Sequence, residues 1–156
     1  MIGAHQAAVS LTINSDWAQA VHALSLSEKY AAYRDLMEQP DGTGIYAVVC
    51  EANRSMRLTQ AELEAHPRWR GFGSHAGKHP AMRGWLVVPL VARSGKNMGL
   101  LQLSDKYEGE FTQQDEYVAM ELAQLASIAI ENVQLLEEVG RLNAGLEQKS
   151  WSAPPR

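Results

Sequence analysis

The sequence has few of the features that mark secreted, membrane-spanning or thiol-dependent proteins. Its single cysteine, Cys50, cannot form an intrachain disulfide, so nothing indicates an oxidising compartment. No apolar run approaches the roughly 20 residues that a transmembrane helix requires, and the N-terminus lacks the basic and apolar regions of a signal peptide. We therefore predict a cytoplasmic protein.

The sequence also lacks an excess of positive charge. Lysine and arginine number 14 against 18 aspartate and glutamate residues, which gives a formal net charge of −4. Nucleic acids and anionic membrane surfaces favour clusters of lysine and arginine. We therefore expect neither nucleic acid nor a membrane among the partners.

The secondary-structure signals that are present indicate one domain of mixed α and β structure. A chain of 156 residues is the size of one domain with one core. Alternating apolar and polar residues predict strands at 7–13 and 20–26, which could pair as antiparallel neighbours. The strongest strand signals lie at 85–91 and 98–103, and residues 93–97 between them are typical of a hairpin loop.

Helical signals lie between these strands. Residues 28–33 are predicted to be helical, and Thr43 is expected to cap a short helix at 44–52. A short strand at 56–59 precedes a helical turn at 60–65, which ends before a proline because a residue in that position is disfavoured in the helical region.

The last predicted element is a long helix. Thr112 and Asp115 have the spacing of a capping box, and no proline occurs from Thr112 to Ala153. Apolar residues with heptad spacing then follow: Val118, Leu122, Leu125 and Ala129, and later Leu135, Val139, Leu142 and Leu146. We expect the first half of this helix to pack on the sheet and the second half to extend past the domain.

Three motifs between Met82 and Glu137 occur together in a characteristic order and spacing. They are Arg83-Gly84-Trp85-Leu86-Val87-Val88-Pro89-Leu90, then Gly99-Leu100-Leu101-Gln102-Leu103-Ser104-Asp105-Lys106, and then Gly109-Glu110-Phe111-Thr112 with Asp115-Glu116 and the Ala-rich segment 122–132. With these motifs the stretch resembles the C-terminal half of a GAF domain, while residues 3–80 fit that family more loosely. The resemblance implies an α+β fold, with a GAF-like central antiparallel β-sheet of five or six strands, helices on one face and a long C-terminal helix.

The resemblance also implies a function, because GAF domains are sensory or dimerisation modules of bacterial signalling proteins. We expect residues 1–134 to form a GAF sensory domain whose N-terminal helix is missing, as in a fragment, and residues 135–156 to form a helical linker towards an output domain of the same polypeptide. The expected function is signal input to a sensor histidine kinase, with a homodimer formed through the C-terminal helix. The alternatives are a haem-based gas or redox sensor and a pure dimerisation module with no ligand.

A glycine-rich loop is the candidate ligand site. Residues 71–82 contain three glycines, and the matching loop of GAF domains borders the ligand pocket. The candidate pocket residues, which would bind an unidentified small molecule, are His22, Trp69, Phe72, His75, His79, Met82 and Trp85. His79-Pro80-x-Met82 is similar to the segment that carries the axial haem histidine in some sensor kinases, so the resemblance makes haem a possible cofactor and His79 its ligand.

No catalytic residues are predicted, and we expect the domain not to be an enzyme. Some GAF domains reduce free methionine sulfoxide, but that cycle needs a catalytic and a resolving cysteine, whereas Cys50 is expected to be buried and inert. The pair Asp105-Lys106 resembles part of the signature of cyclic-nucleotide-binding GAF domains. We expect Lys106 instead to pair with an acidic residue at the start of the last helix and to fix that corner.

Overall fold

The computed structural model describes residues 2–13 and 15–151. Within them the strands are β1 (Ala4–Thr12), β2 (Gln19–Leu26), β3 (Met56–Leu58), β4 (Trp85–Val91) and β5 (Asn97–Lys106), and the helices are α1 (Ile45–Ala52), α2 (Gln60–Ala65) and α3 (Gln113–Trp151). The strands form one antiparallel sheet in the order β2-β1-β5-β4-β3. The predicted antiparallel sheet of five or six strands, here five, and the long C-terminal helix are confirmed.

The first half of α3 covers one face of the sheet. Ala119 and Ala123 are fully buried there, where they pack with Leu86 and Leu90 of β4 and with Phe111 in the turn before α3. Alanine side chains let the helix axis approach the strands closely, because little side-chain volume separates the two backbones. The first half of the helix therefore packs on the sheet as expected.

The heptad leucines are not the residues that make this contact. Leu122, Leu125, Leu135 and Leu142 are each about half exposed or more, with 51%, 66%, 48% and 62% of their surface accessible. The heptad row and the sheet-facing alanines lie on different sides of α3. The helix therefore carries an apolar face that remains largely exposed.

The short helices cover the opposite face of the sheet, so helices lie on both faces and not on one face as predicted. Ile45, Val49 and Cys50 of α1 and Leu63 of α2 form one buried cluster with side chains of the central strands, notably Trp85. The α2 helix begins with a complete capping box, since the Thr59 hydroxyl accepts from the Glu62 backbone and the Glu62 carboxylate accepts from the Thr59 backbone. The loops that form the candidate site lie on this same face.

The outer edge of β4 is closed beyond the end of β3. The last β3 pair joins Met56 to Val87, so the following residues of β4 have no strand beside them on that side. Pro89 has no N–H group, so it leaves no donor unpaired on this edge. The Val91 N–H donates to the Ser127 hydroxyl over 3.1 Å. These two features remove donors from an edge that could otherwise pair with another chain.

Two local predictions were wrong, and one start signal is confirmed. Thr43 does not cap α1, because Gly44 is the N-cap residue and the Thr43 hydroxyl donates to Asp41 over 2.6 Å. Residues 28–33 form only a 3-10 turn at Glu28–Tyr30, followed by an irregular turn. Thr112 and Asp115 make the predicted reciprocal capping bonds at the start of α3, over 2.8 and 3.1 Å.

No helix in the described ranges 2–13 and 15–151 is both long enough and apolar enough to cross a membrane.

Candidate functional site

A cavity of about 460 Å³ opens between the sheet and the loops of the α1/α2 face. Its floor is formed by β1 and β5, its walls by α1, Trp85 and the segment 69–82, and its rim by residues 37–44. Cavities of a few hundred Å³ with mixed aromatic and polar linings are typical of small-molecule sites.

The floor of the cavity is polar but uncharged. Gln6 of β1 and Gln102 and Ser104 of β5 line it, and Gln6 lies directly opposite Ser104 in the β1–β5 ladder. Gln6 is 4% exposed and Ser104 is 1% exposed. The Gln102 amide donates to the Ser104 hydroxyl over 3.0 Å. These side chains share one face because alternate residues of a strand point the same way.

The walls are aromatic and meet mostly edge to face. Trp69 and Phe72 have ring centroids 5.2 Å apart at 85°, and Tyr46 and Trp85 are 5.7 Å apart at 85°. The Tyr46 side chain is half-buried, and burial of its hydroxyl raises the pKa of that group to about 12. The walls therefore present flat apolar surfaces with uncharged polar tips.

The rim is held together by hydrogen bonds between two loops. The Glu38 carboxylate accepts bonds from both the backbone N–H and the hydroxyl of Ser74, and these bonds lower the pKa of Glu38. Gly73 has φ +75°, and a Cβ atom there would lie 2.6 Å from the Glu38 carboxylate. The Tyr33 hydroxyl also donates to the Phe72 carbonyl over 3.2 Å. Glycine at position 73 therefore allows the two loops to close over the cavity.

His79 is a half-buried, neutral histidine at the cavity wall. Its ring stacks on Phe72 with centroids 3.5 Å apart and meets the edge of Tyr33 at 4.7 Å. Burial lowers its pKa from 6.5 and outweighs the opposing bond to the Pro80 carbonyl. The Pro80 carbonyl can only accept a hydrogen bond, so Nδ1, which lies 2.7 Å from its oxygen, carries the proton. Nε2 is then the nitrogen with a free lone pair.

A buried carboxylate ties the loop after His79 to the rest of the domain. Asp105, 2% exposed with φ +59°, lies next to the last residue of β5. Its oxygens accept from the ammonium of Lys29, from the Tyr30 hydroxyl over 3.0 Å and from the Arg83 backbone over 2.9 Å. Lys29 also donates to the Ala81 carbonyl. One charged group therefore fixes the 3-10 turn, the cavity loop and the end of β5 together.

The next residue fixes the start of α3. The Lys106 ammonium bonds to the Asp115 carboxylate and to the Glu110 carbonyl over 3.1 Å. The predicted pairing of Lys106 with an acid of the last helix is thereby confirmed. Burial opposes ionisation of Asp115, but the bonds from Lys106 and Thr112 outweigh it and lower the pKa of Asp115. Adjacent residues of β5 thus contact the cavity loop on one side and α3 on the other.

The structure brings together five of the seven candidate residues and leaves two outside. Trp69, Phe72, His79, Met82 and Trp85 all line the cavity. His22 does not, because it is exposed at an irregularity of the β1–β2 ladder where Val21 and Ala23 have partners and it has none. His75 lies in the 3-10 segment Gly73–Lys78 and is not one of the lining residues.

Sequence reasoning missed the polar floor. Gln6 stands just before the predicted first strand, and Gln102 interrupts an apolar strand, so both could be explained as ordinary strand residues. A usable signal was the position of Gln102 and Ser104 two residues apart, which places both on one face of the same strand. The β1–β5 register that adds Gln6 is a long-range pairing, and the sequence carries no local signal for it.

His79 of the cavity wall is the candidate axial ligand for haem. The bond from Nδ1 to Pro80 fixes the tautomer and leaves His79 Nε2 as the donor that haem iron would require. In the described ranges no three His, Cys, Asp or Glu side chains converge as a metal site. Cys50 is buried in α1 outside the cavity lining, and burial raises the pKa of its thiol to about 11.

Comparisons with known proteins agree with this architecture. A family model described as a GAF domain matches residues 4–131. The GAF domain of a phosphoenolpyruvate-protein phosphotransferase from Coxiella burnetii is similar, with 18% identity, a TM-score of 0.67, and coverage of 86% of this chain and 76% of that chain. A GAF domain/HD domain protein from Geobacter sulfurreducens has 13% identity, a TM-score of 0.66, and coverage of 85% and 83%.

An enzyme is also among the similar structures. A free methionine-R-sulfoxide reductase from Neisseria meningitidis, solved with its substrate, has 17% identity, a TM-score of 0.64, and coverage of 85% of this chain and 71% of that chain. At such identities the likeness concerns the fold alone, so it assigns neither ligand nor activity to this chain.

Proposed function

The chain belongs to the GAF domain family, a family of ligand-binding signal-input domains, and from this premise we propose that it is the input domain of a cytoplasmic sensor histidine kinase. A small molecule would bind in the 460 Å³ cavity and change the position of α3. The end of α3 would pass that change to an output domain of the same polypeptide.

The observation that carries this proposal is the adjacency of Asp105 and Lys106. Asp105 holds the loop that bears His79, through the Arg83 backbone and through Lys29. Lys106 holds the first turn of α3 through Asp115. A ligand that moves the loop therefore acts on the same two residues that position the helix. The ligand shifts the helix only if its affinity for the domain differs between two arrangements of the helix.

The proposal includes a homodimer formed through α3. Beyond the contact with the sheet, Leu135, Val139, Leu142 and Leu146 remain 48%, 52%, 62% and 64% exposed at heptad spacing. A second copy could bury this row and couple the movement of the two helices. Leu122 and Leu125 extend the same apolar face back onto the domain.

We place catalysis outside this domain. Cys50 is 1% exposed, and the raised pKa of its thiol, about 11, keeps it protonated at neutral pH. A protonated thiol is a poor nucleophile, which argues against the chemistry of the sulfoxide reductases that share the fold.

Ligand retention and helix movement together test the proposal. Native mass spectrometry of protein taken directly from cells should reveal a retained small molecule in the chain. Spin labels at Glu137→Cys, an exposed site on α3, should then report a changed interprotomer distance when that molecule is removed. Lys106→Met, labelled at the same site, should retain the molecule but lose the distance change, which separates coupling from binding. Absence of a retained molecule, or an unchanged distance when the molecule is removed, would contradict the proposal.

A haem sensor is the second candidate, and the hydrogen bond between His79 and Pro80 is the observation that favours it. A hydrogen bond from Nδ1 to a carbonyl, such as the bond to Pro80, orients an axial histidine and makes Nε2 a more basic ligand. Haem would supply a site for diatomic gases or for a change of redox state. Protein purified from cells should then show a Soret band that His79→Ala abolishes, whereas colourless protein that takes up no added haemin would exclude this candidate.

A further inference from the structure

The buried floor of the cavity contains an amide with unused hydrogen-bonding capacity. Gln6 is 4% exposed, and the one side-chain partner it has in the described part of the chain is the Met37 sulfur, 3.8 Å from Nε2. A thioether is a weak acceptor. The Gln6 carbonyl oxygen and its second N–H are therefore left for whatever fills the cavity, because a buried amide without partners is costly.

Ser104 offers a matching group on the neighbouring strand. It lies opposite Gln6 in the ladder and is 1% exposed. Directly opposed residues have Cβ atoms roughly 4.5–5.5 Å apart, so one ligand edge can reach both. The Ser104 oxygen accepts from Gln102, and its own hydrogen has no acceptor among residues 2–13 and 15–151. The floor thus presents donors and an acceptor side by side, all of them uncharged.

The charged lining residues lie away from this floor. Glu38, Asp41 and Arg70 are exposed at the rim, and the two carboxylates already bond to Ser74 and Thr43. An ionised carboxylate or phosphate placed on the floor would be buried without a cation, which is strongly unfavourable. The walls above the floor are the flat rings described above, which favour a planar ligand.

We propose that the cavity binds an uncharged planar heterocycle whose ring carries an adjacent N–H donor and C=O acceptor, as in a lactam, and that this edge bonds to Gln6 and Ser104. In the absence of ligand, water can bond to Gln6 and Ser104. A lactam edge can replace this water because the lactam also offers one donor and one acceptor. This inference rests on the proposed ligand-binding function and names the chemical class of the ligand.

Four bicyclic probes of similar size separate the possible binding modes. They are 2-quinolone, which has the lactam edge; N-methyl-2-quinolone, which has lost the donor; naphthalene, which has no polar edge; and quinoline-2-carboxylate, which is anionic. Binding to the intact chain can be followed by two-dimensional NMR and by tryptophan fluorescence, since Trp69 and Trp85 line the cavity. We expect 2-quinolone to bind at least about fivefold more tightly than each of the others, which is the effect of one neutral hydrogen bond.

Two variants test the named residues. Gln6→Leu keeps the approximate size of the side chain and removes its amide, so it should weaken 2-quinolone binding by about fivefold to tenfold and leave naphthalene binding equal or stronger. Ser104→Ala removes a smaller polar group and should also weaken 2-quinolone binding. Gln114→Leu, at an exposed position of α3, is the matched control and should leave every affinity unchanged.

The outcomes distinguish the ligand class from the broader function. Equal or tighter binding of quinoline-2-carboxylate, or unchanged 2-quinolone affinity in folded Gln6→Leu and Ser104→Ala, would overturn the lactam proposal while leaving a binding cavity in place. Binding of none of the four probes also overturns it. If, in addition, protein from cells retains no small molecule, the proposed input function fails as well.

Discussion

The hydroxyl of Tyr30 lies 3.0 Å from the buried carboxylate of Asp105 and donates to it. Burial, followed by the charge of that carboxylate, raises the pKa of Tyr30 far above its usual value, so the hydroxyl keeps its proton. Asp105 has φ +59°, a conformation that Asp and Asn tolerate better than other residues with a side chain. Aspartate at this position therefore both accepts the buried hydrogen bonds and tolerates the positive φ that places its carboxylate there.

Substitutions at this pair should rank in a defined order. Asp105→Ala removes three hydrogen bonds and leaves a poorly suited residue at positive φ, so we expect a loss of about 3 kcal/mol in the free energy of unfolding. Asp105→Asn should cost less, because Asn tolerates this φ and can still accept from the Arg83 backbone. Tyr30→Phe should cost roughly 1.5 kcal/mol. Urea denaturation measures all three, and equal losses for the Ala and Asn variants would refute the role of the backbone conformation.

The Lys106–Asp115 pair predicts a specific dependence of stability on pH. The native pKa of Asp115 is lowered below its ordinary value of 3.8, since the bonds from Lys106 and Thr112 outweigh burial. The ionised group therefore contributes stability above about pH 4, and that contribution is lost as the pH falls through the lower native pKa. We expect wild type to be more stable than Asp115→Asn at pH 7, with the difference closing in acid.

Unfolding free energies of both proteins between pH 7 and pH 2.5 measure that difference. Carboxylates common to both proteins, including those of Glu38 and Asp41, titrate in each and cancel in the comparison. A difference that stays constant across the range would show that the Asp115 contact does not depend on charge.

The sequence predicted the hairpin of β4 and β5 well, because its strands are continuous apolar runs joined by a local turn. It predicted the length of α3 but not its buried face. The row of heptad leucines is the stronger periodic signal, yet the sheet contacts Ala119 and Ala123, whose small size permits close packing. Periodicity reports that a face is apolar, and it does not report whether that face packs within the chain or on a partner.

The same limit explains the candidate site. The aromatic residues near the glycine-rich loop were predicted because loop and walls are contiguous in sequence, from Trp69 to Trp85. Gln6 and Ser104 come together only through the β1–β5 register, a pairing between distant segments. Register depends on how all the strands pack, so a single strand cannot predict which polar residue of another will lie opposite it.

The exposed row of α3 predicts self-association. Leu135→Glu combined with Leu142→Glu should weaken the dimer by about tenfold or more, since each charge would have to be desolvated at an apolar contact. Ala144→Glu adds a carboxylate to the same helix outside the heptad row and is the matched control. Analytical ultracentrifugation at micromolar concentrations should show dimers for wild type and the control. A wild-type protein that remains monomeric would contradict the predicted association.

The Ser127 hydroxyl should contribute to the closed edge of β4. It accepts from the Val91 N–H and donates to the Ala123 carbonyl over 2.7 Å. Ser127→Ala would leave a partly buried N–H unpaired, at a cost of about 1–3 kcal/mol. Amide hydrogen exchange at Val91 should accelerate at the same time, whereas Ser15→Ala, at an exposed position between β1 and β2, should change neither quantity. Unchanged exchange at Val91 would show that this bond does not protect the edge.

His79 provides a test of the cavity wall in solution. Burial lowers its pKa from 6.5, so its neutral ring favours the folded state fully above about pH 6.5, and this contribution is lost as the pH falls through the lower native pKa. NMR titration of the His79 ring should give a midpoint below 6.5. Phe72→Ala removes the ring stacked 3.5 Å away, admits water to one face of the imidazole and should raise that midpoint towards 6.5. Leu122→Ala, an apolar truncation on the exposed face of α3, should leave it unchanged. A wild-type midpoint at or above 6.5 would mean that the loop does not enclose His79, and the aromatic wall of the proposed site would then be absent in solution.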